Sequence, residues 1–303
     1  MKILQKNKVI NPHPFVNSFD LYKSKKYSLS VNGTSLEQKA HLALALEAAK
    51  RGGVVLKKYW GAINSIAHKD TPIDLVTDAD RASEEAIIHS IKSAYPTHGI
   101  LAEESGMHVR LDEDFLWVID PLDGTTNYTH QYPVVAVSIA LLYQGKPVLG
   151  VVYNPILNEL FHAAQGEGAF FNGKAIHVSH VDSLSRSLLA SGFAYDRREN
   201  PENNYGPFCR LTHLTQGVRR GGAAALDIAY VAAGRLEGYW ERGIKPWDIA
   251  AGIILVQEAG GKVSAYDEGP FDLASGKILA TNGKIHNELS REICKAISIG
   301  ISL

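Results

Sequence analysis

Five acids stand where carboxylates are costly. Glu103 lies in Ala-Glu-Glu-Ser, Asp120 and Asp123 in Trp-Val-Ile-Asp-Pro-Leu-Asp-Gly-Thr-Thr-Asn, Asp248 in Pro-Trp-Asp-Ile-Ala-Ala-Gly, and Asp80 in Asp-Leu-Val-Thr-Asp-Ala-Asp. Each follows or precedes an apolar run, and such carboxylates are expensive unless they share a cation. Oxygen ligands without a cysteine or histidine cluster point to Mg²⁺ rather than Zn²⁺. Pro121 fixes φ and contributes no N–H. The turn after Ile119 therefore lets Asp120 and Asp123 converge and leaves the Leu122 carbonyl free as a further oxygen ligand. Gly124 permits close approach of an anion to the backbone. A helical turn starting there aims unpaired N–H groups at the same spot, with the Thr125 hydroxyl beside it to orient a water. Cations next to a phosphate cradle read as metal-assisted phosphoester hydrolysis. A lone Asp-Gly-Thr is more simply a helix cap; the full string after a hydrophobic strand is more specific.

The elements that must position these acids are visible as periodicity. Leu36, Ala40, Leu44, Ala48 and Val55 recur at helical spacing, with Ser35 as a candidate cap and Gly52-Gly53 interrupting. A second helix is predicted from about Asp80 to Ala94, capped by an acid and ended before Pro96. Phe115 to Ile119 reads as a central strand. Val134 to Tyr143 and Pro147 to Val152 read as a hairpin, followed by a strand from Glu159 to Ala164. Beyond it, strands are predicted at 187–190, 236–240 and 277–281, and helices at 203–214, 223–233, 247–259 and 285–297. Such alternation predicts sheets with helices packed between and outside them.

Bulk properties exclude several classes. The chain has 303 residues, 45% hydrophobic and 21% charged, which suits a globular protein with a large core. A formal net charge of −1 recruits neither nucleic acid nor an anionic membrane globally. The longest apolar stretch, 134–143, is far short of the roughly 20 residues a membrane helix needs. No apolar h-region follows the start, and Cys209 and Cys294 fit no metal or redox spacing, so a cytoplasmic protein with reduced thiols is expected. Residues 1–34 carry six lysines against Asp20 alone and show no period. They read as a flexible extension or a contact arm. Residues 35–183 read as a metal-binding α+β subdomain and 184–303 as an α/β substrate-side subdomain of one catalytic unit. Gly166-x-Gly168 hints at a dinucleotide fingerprint, but Phe171 replaces the third glycine and a turn follows instead of a helix. The Arg219-Arg220 pair suits either a phosphate or a structural ion pair.

Asp120-Pro-Leu-Asp-Gly-Thr-Thr-Asn, with Glu103-Glu104-Ser105 upstream and Trp247 to Gly252 downstream, resembles the inositol monophosphatase family. The likeness runs over about residues 36–298 and includes Asp74 to Asp80 and Gly166 to Gly173. It implies a layered α/β (α+β) fold, an αβαβα sandwich of the sugar-phosphatase type. It implies two to three Mg²⁺ ions: one at Glu103, Asp120 and the Leu122 carbonyl, a second at Asp120, Asp123 and Asp248, and a weaker third against Glu103. Glu103 and Thr125 would orient the attacking water and Asp80 would hold Thr125 or a metal-bound water, while Gly124 and Thr125 N–H groups bind phosphate. Asp123, Asp248, Gly222, Ala224 and Glu241 would face the substrate. Glu241 matches an acid that accepts inositol hydroxyls; otherwise it is a surface acid paired with Arg242 or Lys245. Ala223 stands where relatives often carry Ser or Thr, so only a backbone contact survives there. Lys69 matches a basic position near the metal loop, or is simply solvated.

The activity so implied is Mg²⁺-dependent hydrolysis of inositol monophosphate and related polyol or sugar phosphates by metal-activated water. A lithium-sensitive homodimer is implied with it. Similar folds serve as fructose-1,6-bisphosphatase, 3′-phosphoadenosine-5′-phosphate phosphatase and histidinol phosphatase. Some bacterial relatives act with the transcription machinery on RNA, and the basic arm leaves that partner open. No Ser, Cys or His lies in a nucleophile motif, so no phosphoenzyme is expected.

Overall fold

The computed structural model describes residues 35–63, 65–69, 75–108 and 114–299; the basic arm 1–34 and Asp74 lie outside them. The chain enters through α1 (Ser35–Tyr59), a ribbon of β1 (Ile66–His68) and β2 (Leu75–Thr77), and α2 (Asp78–Ala94). Next come β3 (Gly99–Ala102), β4 (Gly106–His108), β5 (Phe115–Asp123) and the short α3 (Thr125–Thr129). A meander follows: β6 (Ala136–Tyr143), β7 (Lys146–Asn154), β8 (Glu159–Ala164), β9 (Gly168–Phe171) and β10 (Lys174–Ile176). The remainder alternates through β11 (Leu188–Ser191), α4 (Tyr205–Leu214), β12 (Gly217–Arg219), α5 (Ala224–Ala232), β13 (Gly238–Arg242) and α6 (Pro246–Glu258). It closes with β14 (Lys262–Ser264), β15 (Lys277–Thr281) and α7 (His286–Ile299).

Apart from the two-stranded β1-β2 ribbon, two sheets divide these strands. An eight-stranded sheet has the order β10-β9-β8-β7-β6-β5-β3-β4, and a five-stranded sheet the order β12-β11-β13-β15-β14. Helices α1 and α2 cover the outer face of the large sheet, α5 and α6 fill the space between the sheets, and α4 and α7 cover the small sheet. The result is the αβαβα sandwich. Each interlayer space has its own core. One is centred on Trp117, Ile119 and Ile139, the middle one on Leu226, Ile228 and Ile254, and the last on Trp240, Leu279 and Leu289. Among the described residues no helix is long and apolar enough to cross a membrane.

Two boundaries differ from expectation for packing reasons. Gly52 and Gly53 do not interrupt α1, which runs on to Tyr59. A Cβ on Gly52 would sit 2.9 Å from Ser83 Oγ, and one on Gly53 2.5 Å from Tyr153 Cε1. These glycines let the helix lie close to α2 and β7, and that tertiary gain outweighs their poor helix propensity of about 1 kcal/mol each. Strand β5 passes beyond Ile119 to Asp123, with irregular register against β6 between Asp120 and Asp123. Pro121 is accommodated at that irregularity, where no ladder N–H is required.

Helix α6 is set equally tightly. A Cβ on Gly150 of β7 would meet the Ala251 carbonyl at 2.6 Å and its Cα at 2.8 Å. Backbone cannot step aside as a side chain can. Gly150→Ala is expected to cost about 3 kcal/mol, read as a lower urea midpoint with unchanged slope. A parental midpoint would show that α6 can move off the sheet freely.

Candidate active site

Helix α2 builds one wall. The expected acidic cap is instead Thr77, whose hydroxyl accepts the Ala79 and Asp80 N–H groups, while Asp80 Oδ2 accepts the Thr77 N–H at 2.9 Å. This capping box fixes Asp80 at the third helical position. One helical face then carries Asp80, Ser83 and Glu84 to three other segments. Thr125 Oγ1 donates to Asp80 Oδ1 at 3.0 Å, and Ser83 Oγ donates to the Pro121 carbonyl at 3.0 Å. Glu84 accepts the N–H groups of Glu104 and Ser105 at 2.8 and 2.9 Å. The buried Glu84 holds the turn bearing Glu103. Sequence reasoning missed Ser83 and Glu84; the available signal was their i+3 and i+4 spacing from Asp80.

The turn after β5 is held from within. Leu122 N–H donates to Asp120 Oδ1 at 2.9 Å. The Leu122 carbonyl is not free as expected, since the Thr125 hydroxyl lies 3.2 Å from it as well as near Asp80. Its second lone pair remains available to a ligand. Gly124 has φ +92°, and a Cβ there would come within 2.9 Å of the Val134 carbonyl. The helical turn α3 begins directly after it, as predicted.

The second half of the chain supplies the rest. Asp123 Oδ2 accepts the Ala225 N–H at 2.7 Å, joining the turn to the start of α5. Asp248 Oδ2 accepts the Lys245 N–H at 2.8 Å in the first turn of α6. Ser138 on β6 donates to the Trp247 carbonyl at 3.0 Å, docking that turn on the large sheet. Asp248 and Glu103 both come to Asp120. Glu241 does not pair with Arg242, which binds Asp196 through two 2.8 Å contacts. Glu241 instead accepts the Tyr239 hydroxyl and packs on Gly192, where any Cβ would collide with its carboxylate. Lys69 is not a freely solvated side chain: its ammonium bridges Glu103 at 2.7 Å and Glu104 at 2.5 Å.

This arrangement has counterparts among known proteins. The profile of the inositol monophosphatase family matches residues 37–299. The chain belongs to the inositol monophosphatase family. An inositol-1-monophosphatase of Synechocystis is 57% identical over 252 residues, 83% of this chain and 88% of that relative. The Nus factor SuhB of Escherichia coli is 41% identical over 80% of this chain and 92% of its own. The solved inositol monophosphatase of Anabaena superposes with TM-score 0.79 at 55% identity, covering 86% of this chain and 97% of that one. Members of the inositol monophosphatase family hydrolyse phosphate monoesters and are generally metal-dependent.

The electrostatics of the site fit a requirement for cations. Burial, reinforced by neighbouring carboxylates, pushes Asp120 and Asp123 well above the usual carboxylate range. Burial and Glu103 raise Asp248 to about 7, and burial raises Asp80 to about 6. Burial alone would lower Lys69, but Glu103 and Glu104 more than offset it and the net shift is upward. Among the described residues no lysine or arginine pairs with Asp120, Asp123 or Asp248, so these acids repel one another uncompensated. An all-oxygen donor set of this kind suits a hard divalent ion. Among the described residues no group of three or more acid, histidine or cysteine side chains is already set as ligands; one oxygen each of Asp120, Asp123 and Asp248 is instead engaged by a backbone N–H.

Gly166 and Gly168 have a different task from the one their spacing suggests. Their N–H groups donate to the two carboxylate oxygens of Glu258, each at 3.0 Å. The anion in this glycine cradle is thus a side chain from the end of α6, pinning the helix that carries Asp248.

Proposed function

We propose that the protein hydrolyses inositol monophosphate and related polyol phosphates, using two to three Mg²⁺ ions. What supports this reading is the buried cluster in which Glu103 and Asp248 come to Asp120, and Asp123, immediately ahead of Gly124-Thr125 in the chain, shares their charge. Glu103, Asp120, the Leu122 carbonyl, Asp123 and Asp248 would hold the ions. When bound, Mg²⁺ supplies charge neutralisation of the phosphate and lowers the pKa of water. The N–H groups of Gly124 and Thr125 receive phosphate oxygens. Asp80 accepts the Thr125 hydroxyl proton, which leaves the Thr125 oxygen lone pairs to orient the attacking water together with Glu103. Glu241 accepts ring hydroxyls, and the backbone of Gly222 and Ala224 contacts the same substrate. Residues 35–183 and 184–303 act as one catalytic unit, since Asp248 from the second completes the site of the first.

The test is phosphate release from a panel of inositol, sugar and nucleotide phosphates with and without Mg²⁺. Preference for fructose 1,6-bisphosphate or 3′-phosphoadenosine 5′-phosphate would displace the inositol reading. On the family likeness we extend the proposal to a cytoplasmic homodimer inhibited by Li⁺. A second reading, partnership with RNA or the transcription machinery, is favoured by the relatives named Nus factor SuhB and the lysines of residues 1–34. A pull-down with the full and arm-deleted chains separates it from catalysis.

Burial raises Glu241 to about 7, and the nearby Tyr239 hydroxyl and Arg220 oppose that rise. Glu241→Gln keeps an acceptor oxygen but loses the charge. It is expected to raise KM for inositol monophosphate about tenfold with a smaller effect on an aryl phosphate, as loss of uniform binding does. Equal losses on both substrates would mark Glu241 as structural.

A further inference from the structure

The peptide of Gly221 is held from both sides. Its carbonyl accepts the Asn127 side-chain N–H at 2.9 Å, and the same amide donates to the Val134 carbonyl at 2.7 Å. On the other side lies Asp227 of α5, hydrogen-bonded by the Gly221 backbone and 4% exposed. A Cβ on Gly221 would collide with both Asp227 carboxylate oxygens. The carboxylate therefore fits only beneath a glycine. The next residue, Gly222, has φ +87°, and its carbonyl lies 3.2 Å from the Cβ position of Gly124. Asn127 belongs to α3, which starts at Thr125. A continuous connection thus runs from the phosphate-side turn through Asn127 and Gly221 to Asp227.

Two consecutive glycines would otherwise sample a wide range of backbone angles, and ordering them on binding would cost affinity. Burial raises Asp227 to about 8, so near neutral pH its carboxyl carries a proton, and its carbonyl oxygen still accepts the Gly221 N–H. Burying a carboxyl is unfavourable without such a partner. Arg220 and Glu241 also face Asp227, with opposite electrostatic effects on it. Neither Asp227 nor Asn127 is among the residues that contact phosphate or cation in the reading above.

We propose that Asp227 is a positioning residue. With Asn127 it fixes the Gly221-Gly222-Ala223 turn against Gly124, so that the turn's backbone meets the hydroxyls of a bound polyol phosphate. This inference rests on the polyol phosphate reading given above. It makes Asp227 a determinant of substrate selection through Gly222, without contact with the reacting atoms.

The experiment compares kcat and KM for inositol monophosphate and for p-nitrophenyl phosphate, which lacks ring hydroxyls, in the full-length chain. Asp227→Ala should lower the ratio of the two kcat/KM values by about tenfold, mainly through KM for inositol monophosphate. Asp227→Asn retains an oxygen for the Gly221 N–H and should recover most of the ratio. Asn127→Ala frees the other end of the peptide and should shift the ratio in the same direction. A merely structural role would reduce both substrates in parallel, and that result overturns the inference. So does an Asp227→Asn protein as impaired in the ratio as the alanine variant. If Asp227→Ala does not fold, an unchanged ratio in Asn127→Ala overturns it instead. Failure of the substrate reading shows elsewhere, as no release from inositol monophosphate by the unaltered chain. The ratio is then taken with the polyol phosphate which that chain does hydrolyse.

Discussion

Asp123→Asn is expected to lower kcat/KM by about a thousandfold or more and to leave the fold intact. Loss of metal-charge stabilisation worth several kcal/mol has that effect on rate. Geometry separates the chemical loss from structural damage. Asp123 Oδ2 accepts the Ala225 N–H at 2.7 Å, and an asparagine carbonyl oxygen can keep that bond. The substitution also removes one charge from a buried cluster whose members raise one another's pKa. The variant should therefore melt no lower than the parent in chelator at pH 8. Asp248→Asn should behave alike, because its bond from the Lys245 N–H is equally open to an asparagine oxygen. A folded Asp123→Asn protein with parental turnover would sink the assignment of the site.

Removing divalent cations should abolish turnover and lower stability together. A ligand present at 100 times its dissociation constant stabilises by about 2.7 kcal/mol, which corresponds to about 4 °C in Tm for a chain of this size. The gain should depend on pH in a defined direction. Asp80 and Asp248 have folded-state pKa values raised to about 6 and about 7. In chelator they favour the folded state fully below their unfolded values near 4, and that contribution is lost as pH rises through 6 to 7. A cation compensates the ionised acids, so added Mg²⁺ should raise Tm more at pH 8 than at pH 5.5. Calorimetry at the two pH values, with Ca²⁺ as a control ion, reads this out. Full turnover in chelator, or an Mg²⁺ gain larger at the acidic pH, would contradict the cation role of the cluster.

Much of this protein was legible in its residues. Periodicity located the helices at 203–214, 223–233 and 247–259 and the buried strand at 115–119, because each spends one face or both in a core. The string from Asp120 to Asn127 announced a site, because a proline, two acids and a glycine after a hydrophobic strand have few other uses together. Local pattern could not show that α1 survives Gly52-Gly53, since the reason lies in Ser83 and Tyr153 across the interface. It could not show that the Gly166 and Gly168 cradle is filled by Glu258, distant in sequence. The roles of Glu84, Asn127 and Asp227 were likewise invisible, because each acts on backbone from another part of the chain. Residue type and spacing determine which chemistry a segment can support, since both are properties of neighbours along the chain. Only tertiary structure decides which carboxylate is buried, which partner it meets and how far its pKa moves, because desolvation and charge depend on neighbours in space.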